Sequence, residues 1–290
     1  MAEAGKTLGD LLAAARNRLA EAGISDAALD ARLLVEHFTR TTRTDALARP
    51  EQPVDGERVK AVEAALDLRL GGMPVHRIIG RREFYGLDLT LAPETLEPRP
   101  DTETLVDLVL AQARRNDGED RPWRILDLGT GTGAIALALL SALPQASAVG
   151  ADISAQALAT AEHNADINGY AGRFSTRLSD WFAKIEGCYD FIVSNPPYIR
   201  DEDWRGLSRE VREFDPQRAL VAGADGLDAY RAIVVGCSDH LGIGGMVAVE
   251  IGHDQKDAVT QLFAARSFRL VAAASDLAGH DRALIFVRSQ

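Results

Sequence analysis

The residues best placed to do chemistry form one stretch, Ser194-Asn195-Pro196-Pro197-Tyr198. The stretch follows an apolar run, residues 189–193, that predicts a buried strand. Two consecutive prolines end the strand, because proline cannot donate to a ladder and fixes its own φ. Asn195 is therefore expected at the carboxyl end of a strand, which is the edge where open α/β sheets bind ligands.

Two hydrogen-bond acceptors lie next to each other in this stretch. They are the side-chain oxygen of Asn195 and the carbonyl of Pro196, since proline keeps its acceptor. Such a pair can bind both N–H bonds of a planar –NH2 group while the ring of Tyr198 stacks on its face. A stiff turn without chemistry is the alternative, because Asn-Pro opens turns. The complete Asn-Pro-Pro-Tyr directly after a buried strand favours a binding site.

Composition limits the function classes. The chain has 290 residues, enough for one large and one small domain. Its net charge of −11 argues against non-specific binding of nucleic acid. Two cysteines and six scattered histidines predict neither a disulfide framework nor a metal site. We expect a cytoplasmic protein, because no signal peptide and no membrane-spanning apolar run are evident.

A glycine-rich loop is the second candidate for ligand binding. Gly129-Thr130-Gly131-Thr132-Gly133 follows a predicted strand, residues 123–128, and precedes a predicted helix, residues 134–143. Glycines allow a close approach of the backbone to a ligand, and the helix amino terminus offers unpaired N–H groups. The spacing fits a ligand with a nucleoside and no pyrophosphate better than a dinucleotide.

Two further residues follow the next predicted strands. Asp152 ends the strand 147–151, where a carboxylate can accept both hydroxyls of a ribose. Capping of the following helix is the alternative, but Ser154 could do that instead. Trp181 follows the strand 173–178, where an adenine could stack; an ordinary buried tryptophan is the alternative.

The remaining patterns predict three regions. Residues 1–73 read as a helical domain with Thr7, Ser25 and Asp55 as helix caps. Residues 74–93 predict a β-hairpin linker, with strands at 75–79 and 84–91. Residues 94–290 alternate strands with helices, apart from an irregular loop at 199–220, and finish with two adjacent strands. This order is typical of a mostly parallel sheet with an antiparallel edge.

Taken in order, these motifs resemble those of class I S-adenosylmethionine-dependent methyltransferases that act on planar amino groups. Five segments make the resemblance more specific: Arg82–Gly86, Pro98–Glu103, Leu126–Ala136, Val193–Ile199 and Asp225–Arg231. Together they are similar to those of the peptide chain release factor glutamine methyltransferases, the PrmC or HemK family. Two departures are visible: Glu97 stands where the family usually has an aliphatic residue, and Asp215 replaces a glutamate.

The resemblance implies a Rossmann-like, seven-stranded, mostly parallel sheet with a small amino-terminal helical domain. It implies methylation of the side-chain nitrogen (N5) of the glutamine in the Gly-Gly-Gln loop of release factors 1 and 2, with residues 1–73 docking that substrate. Catalysis is assigned to Asn195, Pro196 and Tyr198, and substrate binding to these three and Pro197. S-adenosylmethionine is assigned to strand-end and loop residues: Gly129, Thr130, Gly131, Thr132, Gly133, Asp152, Trp181 and Asn195.

Two other functions remain open. DNA adenine-N6 methyltransferases share Asn-Pro-Pro-Tyr and flip a base into the equivalent pocket. The net charge of −11 and the lack of a basic target-recognition region argue against this alternative. A non-catalytic binding protein of the same fold is disfavoured by the intact cofactor and amide-binding motifs.

Overall fold

The computed structural model describes residues 6–116 and 118–289. The chain divides into two compact units, one ending at Gly80 and the other beginning at Arg81. None of the helices in the described part of the chain is long and apolar enough to cross a membrane.

The first unit is helical. Thr7 and Asp55 cap two of its helices by accepting from the backbone N–H groups of Asp10 and Arg58, as predicted. Ser25 does not cap the second helix, because the chain enters it through Asp26. Five helices occur between residues 6 and 80: α1 (Leu8–Glu21), α2 (Ala27–Thr39), α3 (Arg43–Ala48), α4 (Gly56–Leu70) and α5 (Val75–Ile79).

The predicted strand at 75–79 is wrong, because these residues form the short helix α5. A five-residue apolar run cannot separate a strand from a buried helical turn. Gly80 ends the helix in the left-handed conformation, with φ of 77°. The hairpin lies just beyond, where β1 (Arg81–Phe84) pairs antiparallel with β2 (Leu87–Thr90).

The second unit contains a sheet in the order β5-β4-β3-β6-β7-β9-β8. Between residues 118 and 289 its seven strands are β3 (Arg124–Leu128), β4 (Ser147–Asp152), β5 (Phe174–Leu178), β6 (Tyr189–Ser194), β7 (Leu241–Glu250), β8 (Phe268–Ser275) and β9 (Asp281–Arg288). β9 runs opposite to the other six strands, so it pairs antiparallel with β7 and β8, and the remaining pairs are parallel. The predicted fold is confirmed.

The described part of the second unit also contains six α-helices: α6 (Glu103–Asn116), α7 (Ala134–Ala142), α8 (Ala155–Ile167), α9 (Arg209–Phe214), α10 (Asp228–His240) and α11 (Lys256–Ala264). Ile125 packs with one layer of buried side chains, whereas Leu126 and Leu128 pack with the other. Central strands with two buried faces therefore consist mostly of apolar residues. The loop predicted at 199–220 is less irregular than expected, because α9 forms within it and Ser208 caps that helix.

The first unit contains a buried ion pair between Arg69 and Asp30, whose side chains are 8% and 6% exposed. We expect Arg69→Met to lower the opening free energy of α2 and α4 by about 3–5 kcal/mol, because it leaves a buried carboxylate without its cation. Hydrogen exchange of these amides in the full chain measures the change. Arg18→Met, which breaks the exposed pair with Asp67, should cost about 1 kcal/mol or less. If the two variants lowered the opening free energy equally, the buried ion pair would not be the more stabilising of the two.

Candidate functional site

A cavity of about 340 Å³ opens at the carboxyl ends of four parallel strands. Leu128 ends β3, Asp152 ends β4, Ser179 follows β5 and Asn195 follows β6, and all four line the cavity. Its volume falls within the range of about 300–1,000 Å³ typical of small-molecule sites. The site therefore lies at the predicted sheet edge.

The glycine loop forms one wall of the cavity. Gly129, Gly131 and Gly133 adopt φ values of 68°, 54° and 84°, a region that residues with a Cβ rarely enter. Four residues of the loop line the cavity: Gly129, Thr130, Gly131 and Thr132. Gly133 instead packs against α8, since an added Cβ would lie 3.3 Å from Ala161. Its expected cofactor contact stays a prediction.

Asp127, in strand β3, holds the glycine loop and the start of α7 by hydrogen bonds. Its Oδ2 accepts from the Thr130 hydroxyl at 2.7 Å and from the Ala136 N–H at 3.4 Å. The Oδ1 atom is buried without a partner among the described residues. Burial raises the pKa of Asp127 to about 7, which the hydrogen bond from Thr130 opposes.

Asp152 joins the glycine loop to the end of β4. Its Oδ2 accepts from the Gly131 N–H at 3.0 Å, and its Oδ1 accepts from the Ser154 N–H at 2.9 Å. Ser154 caps α8 through the Ala157 N–H, so the alternative of Asp152 as that cap is wrong. Each carboxylate oxygen keeps acceptor capacity for a ligand.

Trp181 lines the cavity and also packs against the apolar core. Its φ of 46° lies in the left-handed region, which is strained for a bulky side chain. The Ser179 hydroxyl stabilises the turn by donating to the Trp181 carbonyl at 2.8 Å and accepting from the Lys184 N–H at 3.0 Å. Strain of this kind is common at binding sites.

Asn195 and Pro197 line the cavity directly after β6. The Asn195 Nδ2 donates to the Thr102 hydroxyl at 3.1 Å, so its Oδ1 carries the acceptor not used in that bond. Pro196 is buried, and Tyr198 directs its hydroxyl to Glu250 at 3.3 Å. Neither of these two residues is among the described residues that line the cavity.

Tyr198, at the end of the Asn-Pro-Pro-Tyr stretch, is held in place by later parts of the chain. The Tyr198 N–H donates to the Leu220 carbonyl at 3.1 Å, and its carbonyl accepts from Gln255 Nε2 at 3.0 Å. Gly226 approaches so closely that an added Cβ would lie 2.4 Å from the Tyr198 carbonyl oxygen. This approach explains why a glycine stands in the segment Asp225–Arg231.

The charged wall of the cavity includes residues that sequence reasoning missed as site residues, notably Arg218 and Glu94. Acidic side chains outnumber basic ones among the described charged lining residues: Glu94, Glu97, Asp152 and Asp180 against Arg99 and Arg218. Both departures from the family pattern form ion pairs. Glu97 pairs with Arg82, and Asp215 pairs with Arg99 at 2.6 Å. The excess of carboxylates favours a cationic ligand.

Two family models match the chain. One, described as PrmC N-terminal domain, matches residues 10–80, and one, described as Methyltransferase small domain, matches residues 107–209. A release factor glutamine methyltransferase of Agrobacterium fabrum is 50% identical over 277 residues, covering 96% of each chain. The chain belongs to the release factor glutamine methyltransferase family.

A second member of this family, from Cereibacter sphaeroides, is 43% identical and covers 94% of this chain and 95% of its own. Among solved structures, a ribosomal protein L11 methylase from Lactobacillus delbrueckii subsp. bulgaricus has a TM-score of 0.51 at 23% identity, covering 69% of this chain and 84% of that chain. That likeness shows the fold alone. The chain is thus an enzyme of the release factor glutamine methyltransferase family, as the resemblance predicted.

We expect Asp127→Asn to change the pH dependence of stability. The folded-state pKa of about 7 exceeds the ordinary 3.8, so the parent's free energy of unfolding falls as pH rises from about 4 to about 7. The variant escapes this loss, since its amide oxygen can accept from Thr130 while its NH2 group replaces the unpaired oxygen. Its stability relative to the parent should therefore rise across this window.

Urea unfolding followed by tryptophan fluorescence measures this effect in the second unit alone, because all three tryptophans lie there: Trp123, Trp181 and Trp204. If the difference in stability between variant and parent stays constant with pH, the pKa of Asp127 in the folded protein is not raised.

Proposed function

We propose that the protein transfers a methyl group from S-adenosylmethionine to the side-chain nitrogen (N5) of the glutamine in the Gly-Gly-Gln loop of peptide chain release factors 1 and 2. Family membership supports the class of substrate. The observation that carries the proposal is the Asn195 amide, whose nitrogen donates to Thr102 at the edge of the cavity. Its oxygen is then available as an acceptor for the –NH2 group of a glutamine.

The residues around the cavity fit S-adenosylmethionine. The Gly129–Thr132 loop offers a close backbone approach, Asp152 can accept from ribose hydroxyls, and Trp181 offers a ring for the adenine. The excess of carboxylates in the wall suits a sulfonium cation. When bound, this cofactor supplies an electrophilic methyl group.

Asn195 acts on the nucleophile from the cavity wall, and the main-chain carbonyl of the adjacent, buried Pro196 is proposed as the second acceptor. A carboxamide nitrogen is a poor nucleophile, because its lone pair is delocalised into the carbonyl. Acceptors on both N–H bonds increase the electron density at nitrogen and hold it in line for transfer. The transfer removes positive charge, so a pocket that excludes water favours it. The product loses its extra proton afterwards, and no strong base is needed beforehand.

The helical unit, residues 1–73 in the domain division that the sequence predicts, is proposed to dock the release factor. DNA adenine methylation is not favoured, given the net charge of −11 and the family to which the chain belongs. We propose that the protein acts in the cytoplasm, where release factors function.

The function is tested by offering methyl-labelled cofactor with purified release factor, with DNA, or with neither. The proposal expects label on the release factor alone and, after digestion, on the glutamine of its Gly-Gly-Gln peptide. Label on adenine, or on another residue of the release factor, would refute it.

Asp152→Ala should weaken cofactor binding. Hydrogen bonds to a charged group contribute roughly 1.5–3 kcal/mol, so the Kd measured by calorimetry should rise at least about tenfold. Asp180→Ala is the matched control, because it removes another acidic side chain from the cavity wall, one that makes no hydrogen bond to the glycine loop among the described residues. Equal effects of the two variants would mean that only the charge matters.

Asn195→Ala should lower kcat and kcat/KM together, because the contact strengthens in the transition state. Removing one such contact costs about 2.7–4 kcal/mol in other enzymes, or roughly a hundred- to a thousandfold in rate. Single-turnover methylation of release factor, with cofactor Kd and melting temperature measured beside it, gives the change. A rate within about twofold of the parent would mean that the Asn-Pro-Pro-Tyr stretch is a turn without a catalytic role.

A further inference from the structure

A buried carboxyl group lies behind the Asn-Pro-Pro-Tyr stretch. Glu250 ends β7 and is 1% exposed. Its Oε1 accepts from the Tyr198 hydroxyl at 3.3 Å, while its Oε2 is buried without a partner among the described residues. A buried polar atom left unpaired is costly, so its presence calls for an explanation.

The same carboxyl group interacts with the side chain of Thr102. Burial raises the pKa of Glu250 to about 7, and Thr102, Arg282 and Tyr198 each act to lower it. Arg282 is itself paired with Asp276 at 2.9 Å. Glu250 therefore accepts from Tyr198 and interacts with Thr102 at a place where an apolar side chain would avoid the cost of burial.

The direction of the hydrogen bonds follows from the number of protons. At a pH above its pKa of about 7, Glu250 is mainly a carboxylate that only accepts, and a threonine hydroxyl has a single proton to donate. When Thr102 gives that proton to Glu250, only its lone pairs face Asn195. Thr102 then accepts from Asn195 Nδ2, the contact observed at 3.1 Å. The amide of Asn195 is thereby fixed with its nitrogen towards Thr102 and its oxygen turned away.

We propose that Thr102 and Glu250 are positioning residues that set the orientation of the Asn195 amide, with Glu250 also holding the Tyr198 ring. The inference rests on the proposed function, because an oriented acceptor is useful only to a substrate that presents an –NH2 group. A flipped Asn195 would present its own NH2 group to that substrate and repel it.

Thr102→Val removes the hydroxyl and keeps the shape of the side chain. We expect kcat for release factor to fall at least about tenfold, with cofactor Kd and the KM for release factor within about twofold of the parent. Thr102→Ser, which restores a hydroxyl, should recover most of the rate. Thr260→Val is the matched control, since it removes a buried hydroxyl of the second unit that has no hydrogen-bond partner among the described residues.

A second measurement needs no turnover. In protein carrying 15N-labelled asparagine, the Asn195 side-chain signal is assigned by its loss in Asn195→Ala. Its NH2 protons should exchange with water slowly in the parent and faster in Thr102→Val. Glu250→Gln should also speed exchange and lower kcat, because an amide can donate as well as accept and no longer fixes the direction of the Thr102 proton.

Faster exchange together with lower kcat in Thr102→Val, or in Glu250→Gln if the valine variant does not fold, supports the inference. Unchanged exchange and kcat in the folded variant overturns it. A parent that methylates no release factor refutes the proposed function instead, while the exchange rates still report whether the amide is oriented.

Discussion

The site depends on the parallel pairing of β3 with a neighbour on each side. Leu128 lies opposite Ala151 of β4 and Ser194 of β6, so the three strands end at one level. The Ser194 hydroxyl strengthens this alignment by donating to the Leu128 carbonyl at 2.7 Å. The next residues along the three strands are Gly129, Asp152 and Asn195. A shift of one residue in either register would turn the side chains to opposite faces and separate these groups.

Two buried acids hold the residues of this edge in place. Asp127 fixes the glycine loop through Thr130, and Glu250 accepts from Tyr198 and interacts with Thr102. Burial raises the pKa of each carboxyl group to about 7, so each is costly to keep ionised near neutral pH. Each also has one oxygen without a hydrogen-bond partner among the described residues. These two buried carboxyl groups thus lower the stability of the fold while they orient residues of the site, a balance expected at functional sites.

The sequence predicts most of the second unit, because its strands are apolar and its loops carry glycine or proline at defined places. It also predicts Asp152 and Asn195, since a residue directly after a parallel strand must lie at the ligand-binding edge. It misplaces 75–79, where five apolar residues fit either a helix or a strand. The contact of Thr102 with Asn195 spans 93 positions, and no local pattern signals such a pairing. The positive φ of Trp181 likewise depends on contacts in the folded protein, and no local sequence pattern signals it.

The proposed reaction requires Asn195 and Pro196 to hold the target –NH2 group. A crystal structure with S-adenosylhomocysteine and a release factor fragment carrying the Gly-Gly-Gln loop would show these contacts. We expect the glutamine side-chain nitrogen to lie about 2.7–3.2 Å from both Asn195 Oδ1 and the Pro196 carbonyl oxygen. We also expect Asn195 Nδ2 to keep its hydrogen bond to Thr102. A glutamine nitrogen bound elsewhere, or an Asn195 amide turned to present its nitrogen, would show that these two acceptors do not hold the target.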